Sequence, residues 1–160
     1  MKNIKITANY QIFDSVKELP TEIASLFKKA EKAQKKAYAP YSKFKVGAAI
    51  LFEDGTIVTG SNQENAAYPS GMCAERVAIY HAGAKYPNLK IKALAICAKS
   101  ETKIVNQPVG PCGACRQTIA EYEFKQEQDI AIYFKGEIGK IVKSNSLKDL
   151  LPLSFDKSFL

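Results

Sequence analysis

The chain of 160 residues has no tryptophan, one histidine, two methionines and two arginines. It also has no apolar run long enough to cross a bilayer, which excludes a membrane-spanning helix. The first residues, "MKNIKITANYQIF", alternate polar and apolar types and lack the continuous apolar stretch of a secretory signal. A cytoplasmic location is therefore expected. Internal repeats, linkers and low-complexity tracts are absent as well, which leaves one ordinary soluble domain. Cysteine occurs only four times. In a reducing compartment such residues serve metal binding or chemistry more often than disulfides.

Lysine is plentiful. It supplies almost all the positive charge behind a formal net charge of +7. Much of that excess comes from dispersed lysines and from one amphipathic segment, 22–37, with Thr21 placed to cap it. There Ile23, Leu26, Phe27, Ala30, Ala33 and Ala37 recur at helical spacing. Lys28, Lys29, Lys32, Lys35 and Lys36 fall largely off that face, as a solvated surface requires, and nucleic acid is disfavoured as the main partner. Pro40 stops the helix. Residues 45–62 read as a hairpin turning at Asp54-Gly55, 72–83 as a helix, and 91–99 as a central strand apolar on both faces. A polar loop over 100–110 leads to a helix over 112–123. Strands over 129–134 and 138–143 and a short helix near 146–151 complete the chain. Residues 1–20 read as an irregular or extended N-terminal arm before a domain over 21–160. This alternation predicts an α/β fold, one mixed sheet with helices on its faces.

Two stretches carry chemistry: "GMCAERVAIYHAG" (71–83) and "PCGACRQTIAEY" (111–122). Cys112 and Cys115 form a C-x-x-C pair whose sulfurs can reach one ion, and Cys73 stands at a second helix start. Helix N-termini carry partial positive charge and favour thiolates. Three ligands without an obvious fourth describe an open, catalytic Zn²⁺ site. The residues available to close it are Cys97, inside an apolar strand and better read as a small core residue, and His81, better read as a surface or packed side chain.

The two arginines, Arg76 and Arg116, both neighbour these cysteines. Three thiolates and one Zn²⁺ sum to a net charge of −1, a weak Lewis acid. Guanidinium donors aimed at the sulfurs would withdraw that surplus charge. Glu75, two residues from Cys73, does not share its helix face and so is a poor ligand. At a helix start it can overhang the open position and move protons. By itself it is better read as a first-turn glutamate stabilised by the helix dipole.

"CAER" followed by "PCGACRQ" resembles the zinc-dependent cytidine deaminases, in the small homotetrameric branch that uses three cysteines. "YAPYSKFKVGAA" (38–49), "NQENAAY" (62–68) and "LLPLSF" (150–155) are similar to that branch in the same order, so the likeness runs from Tyr38 to Phe155. The resemblance implies a three-layer α-β-α fold around a five-stranded mixed sheet. It implies one Zn²⁺ per chain on Cys73, Cys112 and Cys115, with Glu75 as the catalytic proton shuttle. It implies hydrolysis of free cytidine and deoxycytidine to uridine and deoxyuridine with release of ammonia, a step of pyrimidine salvage. Phe44 would pack on the pyrimidine, the Ala74 backbone would hold the base, and Asn62 and Glu64 would bind the ribose hydroxyls. Ala66, Tyr68 and Phe155 would come from neighbouring subunits of a homotetramer. The competing readings are a deaminase for another aminopyrimidine nucleoside, such as a nucleoside antibiotic, and a structural zinc or nucleic-acid-binding module.

Overall fold

A computed structural model describes residues 1–160. Six strands form one sheet: β1 (Tyr10–Phe13), β2 (Phe44–Phe52), β3 (Ile57–Ser61), β4 (Ile91–Ser100), β5 (Ala131–Lys135) and β6 (Ile141–Ser144), in the spatial order β1-β6-β5-β4-β2-β3. Three helices cover it: α1 (Thr21–Gln34), α2 (Ala74–Lys85) and α3 (Gly113–Gln126). Only β4 and β5 pair in parallel, and α3 makes the crossover between them.

Period-two alternation explains the layers. In β2, β4 and β5, Ala48, Ile50, Leu94, Ile96, Ile132 and Phe134 face one side and pack with Ala78, Ile79 and Ile119 of α2 and α3. The intervening Ala49, Leu51, Ala93, Ala95, Cys97 and Tyr133 face the other side, against Ile23, Leu26, Phe27 and Ala30 of α1. The result is the α-β-α sandwich. Central strands buried on both faces read as continuous apolar runs, which is why β4 was legible.

The sheet has six strands where five were expected. The extra one is β1, from the arm, paired antiparallel to β6 with Tyr10 opposite Ser144. It covers an edge that would otherwise expose unpaired backbone groups. Tyr10 Oη donates to the Asp149 carbonyl at 2.7 Å, and Phe13, Val16 and Leu19 join the α1-side core.

Helix α1 stops at Gln34 rather than 37, because the chain must turn to seat Tyr38. The Tyr38 amide donates to the Asn62 carbonyl (3.0 Å) and its carbonyl accepts from the Glu64 amide (2.9 Å). Gln34 is buried and gives its Nε2 to the Lys45 carbonyl at 3.3 Å. Two glycines are required by geometry. A Cβ on Gly47 would lie 2.1 Å from the Ala30 carbonyl oxygen, so α1 can approach β2 only there. Gly55 holds φ +86° in the hairpin turn, where Asp54 Oδ1 accepts from the Thr56 amide at 2.9 Å.

Candidate metal centre and active site

Helices α2 and α3 lie on the same face of the sheet, and their N-termini meet at one end. Cys73 is the N-cap of α2, Cys112 is the N-cap of α3, and Cys115 sits in the first turn of α3. The Cys73 and Cys112 Sγ atoms are 3.8 Å apart, those of Cys112 and Cys115 are 3.5 Å apart, and all three lie within 4.8 Å of one another. Neither N-cap cysteine uses its sulfur to cap its helix, so the sulfurs stay free for another partner. Both helix ends place their partial positive charge on this cluster.

The thiols share their protons unevenly. Cys73 is brought down to about 5, first by a hydrogen bond from Cys115, then by Arg76 and Cys112. Cys115 moves the opposite way, because it lies beside the ionising Cys73 and is buried. Arg76 Nη2 stands 3.9 Å from Cys73 Sγ. Its Nε is buried without any hydrogen-bond partner, an orphan donor beside a cluster that becomes more negative when its thiols ionise.

Arg116 takes a different course from the one expected. Its Nε donates to the Pro111 carbonyl (2.9 Å) and its Nη1 to the Leu150 carbonyl (2.8 Å). It ties the residue before Cys112 to the C-terminal segment. Spacing does not separate the two arginines, since Arg76 is three after Cys73 and Arg116 four after Cys112; the Pro111 and Leu150 carbonyls take up the Arg116 guanidinium, whereas Arg76 reaches Cys73.

Glu75 is 5% exposed. Burial pushes its carboxyl up to about 6, and the negative charge at Cys73 adds to that rise. Neither residue considered as a fourth ligand joins the cluster. Cys97 lies in the core on the α1 side of the sheet, 3.7 Å from the Gly47 carbonyl, and burial pushes its thiol up to about 12. His81 is exposed two turns along α2.

A cleft of about 570 Å³ opens beside Cys73 and Arg76. Asn62, Glu64 and Tyr68 line it. Two segments are clamped together here: Gln63 and Met72 exchange backbone hydrogen bonds at 2.8 Å each, which locks the stretch after β3 to the stretch before Cys73. Asn62 Oδ1 accepts from the Val46 amide (2.8 Å), and its Nδ2 donates to the Phe44 carbonyl (2.9 Å). Glu64 accepts from the hydroxyl of Ser42 and from the amides of Tyr41 (2.9 Å) and Ser42 (3.3 Å). Those bonds, with Ser42 first, hold its carboxyl below the usual carboxylate range. Phe44 opens β2 half-buried, and Ala74, fully buried, opens α2. Ala66 is exposed, as are Tyr68 (77%) and Phe155 (56%), the last stacked on Phe159 with ring centroids 5.7 Å apart. Tyr41 and Ser42 were not singled out from sequence. Nothing in residue spacing says that they touch a carboxylate more than twenty positions away.

A family model for the cytidine and deoxycytidylate deaminase zinc-binding region matches residues 20–128. A cytidine deaminase of Sporosarcina psychrophila is 43% identical over 139 residues, covering 87% of this chain and 95% of that protein. One of Halalkalibacterium halodurans is 40% identical over 130 residues, covering 81% and 91%. Among solved structures, the cytidine deaminase of Burkholderia pseudomallei superposes with a TM-score of 0.72 at 37% identity, over 82% of this chain and 97% of its own. That of Mycobacterium tuberculosis does so with a TM-score of 0.66 at 31% identity, over 86% and 99%.

Proposed function

The chain belongs to the cytidine and deoxycytidylate deaminase family, and on that premise we propose how its own residues bind a nucleoside and move protons. The reaction is zinc-dependent hydrolysis of cytidine: water replaces the exocyclic amine, and ammonia leaves. One Zn²⁺ per chain fits the site. Three converging sulfurs at two helix N-termini form a soft donor set, and the orphan Arg76 Nε stands ready for the extra negative charge. Cys73, Cys112 and Cys115 would hold the ion. When bound it supplies a Lewis acid that lowers the pKa of water toward neutrality.

Glu75 would carry the protons. With its carboxyl near 6 it is mostly ionised at neutral pH and can both accept and return a proton. It takes one proton from water and places it on the ring nitrogen beside the amine. It then takes the remaining hydroxyl proton and gives it to the amine, which departs as ammonia. A buried carboxylate keeps these protons from bulk solvent, and it favours the tetrahedral carbon over the flat ring it replaces.

Glu64, ionised and fixed by three donors, and Asn62 would receive the sugar hydroxyls. The first amides of α2, from Ala74 onward, have no intrahelical partner and would face the base. Phe44 would pack on the pyrimidine. The exposure of Ala66, Tyr68 and Phe155 in the single chain supports a role across subunit boundaries, and with it a homotetramer with shared active sites. Deoxycytidine is proposed as a second substrate and the cytoplasm as the location; no helix is long and apolar enough to cross a membrane. The observation that carries this reading is the three-sulfur cluster with Glu75 buried beside it and the Glu64 cleft alongside. The test is loss of cytidine absorbance with matched ammonia release, measured alongside metal content. A chain holding one zinc that leaves both nucleosides untouched would overturn it.

A further inference from the structure

Five lysines cluster in α1 and the turn that follows it: Lys28, Lys29, Lys32, Lys35 and Lys36. Both acidic residues of α1 are already engaged from the sheet: Glu22 by Lys92 and Glu31 by Lys135, each at 2.7 Å. Lys45, Lys99, Lys140 and Lys148 also have carboxylate partners. Lys28, Lys29, Lys32, Lys35 and Lys36 have none among the ion pairs. Lys29 and Lys32 sit at i and i+3 on one face of α1, and Lys36 follows in the turn after Gln34; these three line the same groove. That face is not flat surface. Together with Thr59 and Ser61 it walls a groove of about 400 Å³ between α1 and β3.

The strand adds donors of its own. β3 is one of the two edge strands of the sheet, opposite β1. The Asn62 amide donates to the Val46 carbonyl, so that position belongs to the hydrogen-bonding series. By the alternation of antiparallel ladders, Ser61 opposite Gly47 and Thr59 opposite Ala49 are non-bonded positions. Their amides and carbonyls both point away from β2, along the open edge, and Gln63 Nε2 already donates to the Ser61 carbonyl (3.5 Å) and hydroxyl (3.2 Å). The groove thus offers three ammonium groups, two hydroxyls and two outward amides, with no carboxylate and no aromatic ring among its walls. Lys29 and Lys32 are about 4.5 Å apart along the helix axis, and Lys36 lies beyond the end of α1, so the three ammonium groups are spread along the groove as several linked phosphates require.

We propose that the groove between α1 and β3 binds a polyphosphate chain, through Lys29, Lys32 and Lys36 and the Thr59–Ser61 edge. The same chemistry is offered by free inorganic polyphosphate and by the triphosphate of a nucleotide. The lack of an aromatic platform favours the free chain. The groove is separate from the cleft at Cys73 and Glu64, so binding there does not depend on the deaminase reading.

Calorimetric titration of the full zinc-loaded chain tests it, with sodium tripolyphosphate, UTP, orthophosphate and a short oligodeoxyadenylate as probes at two salt concentrations. Tripolyphosphate is expected to bind more tightly than orthophosphate. UTP no tighter than tripolyphosphate supports the free chain as the source; tighter UTP supports the nucleotide. The Lys29→Gln/Lys32→Gln pair should weaken tripolyphosphate about tenfold, as loss of charge-assisted bonds requires. The charge-matched pair Lys28→Gln/Lys35→Gln, outside the groove, should change it less than about threefold by loss of screened long-range attraction alone. Cytidine turnover without the anion should be unchanged in both. Equal losses in the two pairs would reduce the effect to net charge and overturn the site. So would undetectable tripolyphosphate binding, or an oligonucleotide preferred over tripolyphosphate.

Discussion

Replacing Arg116 with alanine removes a fork that ties two otherwise separate parts of the chain. Its Nε and Nη1 serve the carbonyls of Pro111 and Leu150, both buried residues. A buried carbonyl left without a donor costs about 1–3 kcal/mol, so the pair costs about 2–6 kcal/mol, with water entry bringing the value toward 3 kcal/mol. For a domain of this length each kcal/mol lowers Tm by about 2–4 °C, which gives a fall of about 6–12 °C. Arg116→Lys can reach one carbonyl but cannot fork to both, and should recover about half of the loss. The assay is thermal unfolding of the metal-free and zinc-loaded chains, with zinc release followed by a chromogenic chelator. Because Pro111 precedes Cys112, release should quicken when the clamp is lost. The metal-free measurement is the decisive one. A clamp stabilises the fold with or without zinc, whereas a guanidinium that only offset thiolate charge would leave the metal-free chain unchanged. A metal-free Arg116→Ala chain melting within 2 °C of wild type would refute the clamp.

Other substitutions probe the remaining parts. Glu75→Gln should keep its zinc and lose about 10²–10⁴-fold in turnover, the usual worth of a positioned acid-base group, measured by the ultraviolet assay; near wild-type turnover would remove Glu75 from the reaction. Gly47→Ala drives a methyl group into the backbone of α1 at Ala30 and Gln34 and should cost at least about 2–3 kcal/mol in urea unfolding. In the metal-free chain at pH 6.5, iodoacetamide should label Cys73, which is ionised above about 5, and spare Cys97, whose thiol persists to about 12. Burial and the neighbouring Cys73 raise the Cys115 thiol, so zinc competes with protons for the sulfurs, and zinc affinity should fall as pH is lowered, as competition with a chelator at several pH values would show.

Residues close in sequence were read well where helical or strand periodicity governs them. The α1 face, the buried strand β4 and the Asp54-Gly55 turn follow from local spacing and local φ preference. The C-x-x-C pair places two sulfurs together for the same reason, and Arg76 reaches Cys73 because three residues make nearly one turn. The misses all involve partners distant in the chain. β1 is only four residues long and becomes a strand because β6 offers it an edge. Glu64 looks like an ordinary loop carboxylate until Tyr41 and Ser42 fold against it.

Sequence alone determined the layered α/β plan, which three cysteines cluster and the type of chemistry they fit, since each rests on residue type and short-range spacing. Tertiary structure decided which arginine faces the sulfurs and which holds the backbone, how deeply Glu75 is buried, and where the unpaired lysines meet an open strand edge. Those outcomes depend on the direction a side chain takes and on what has packed around it. Neither is set until α2, α3 and the sheet have come together.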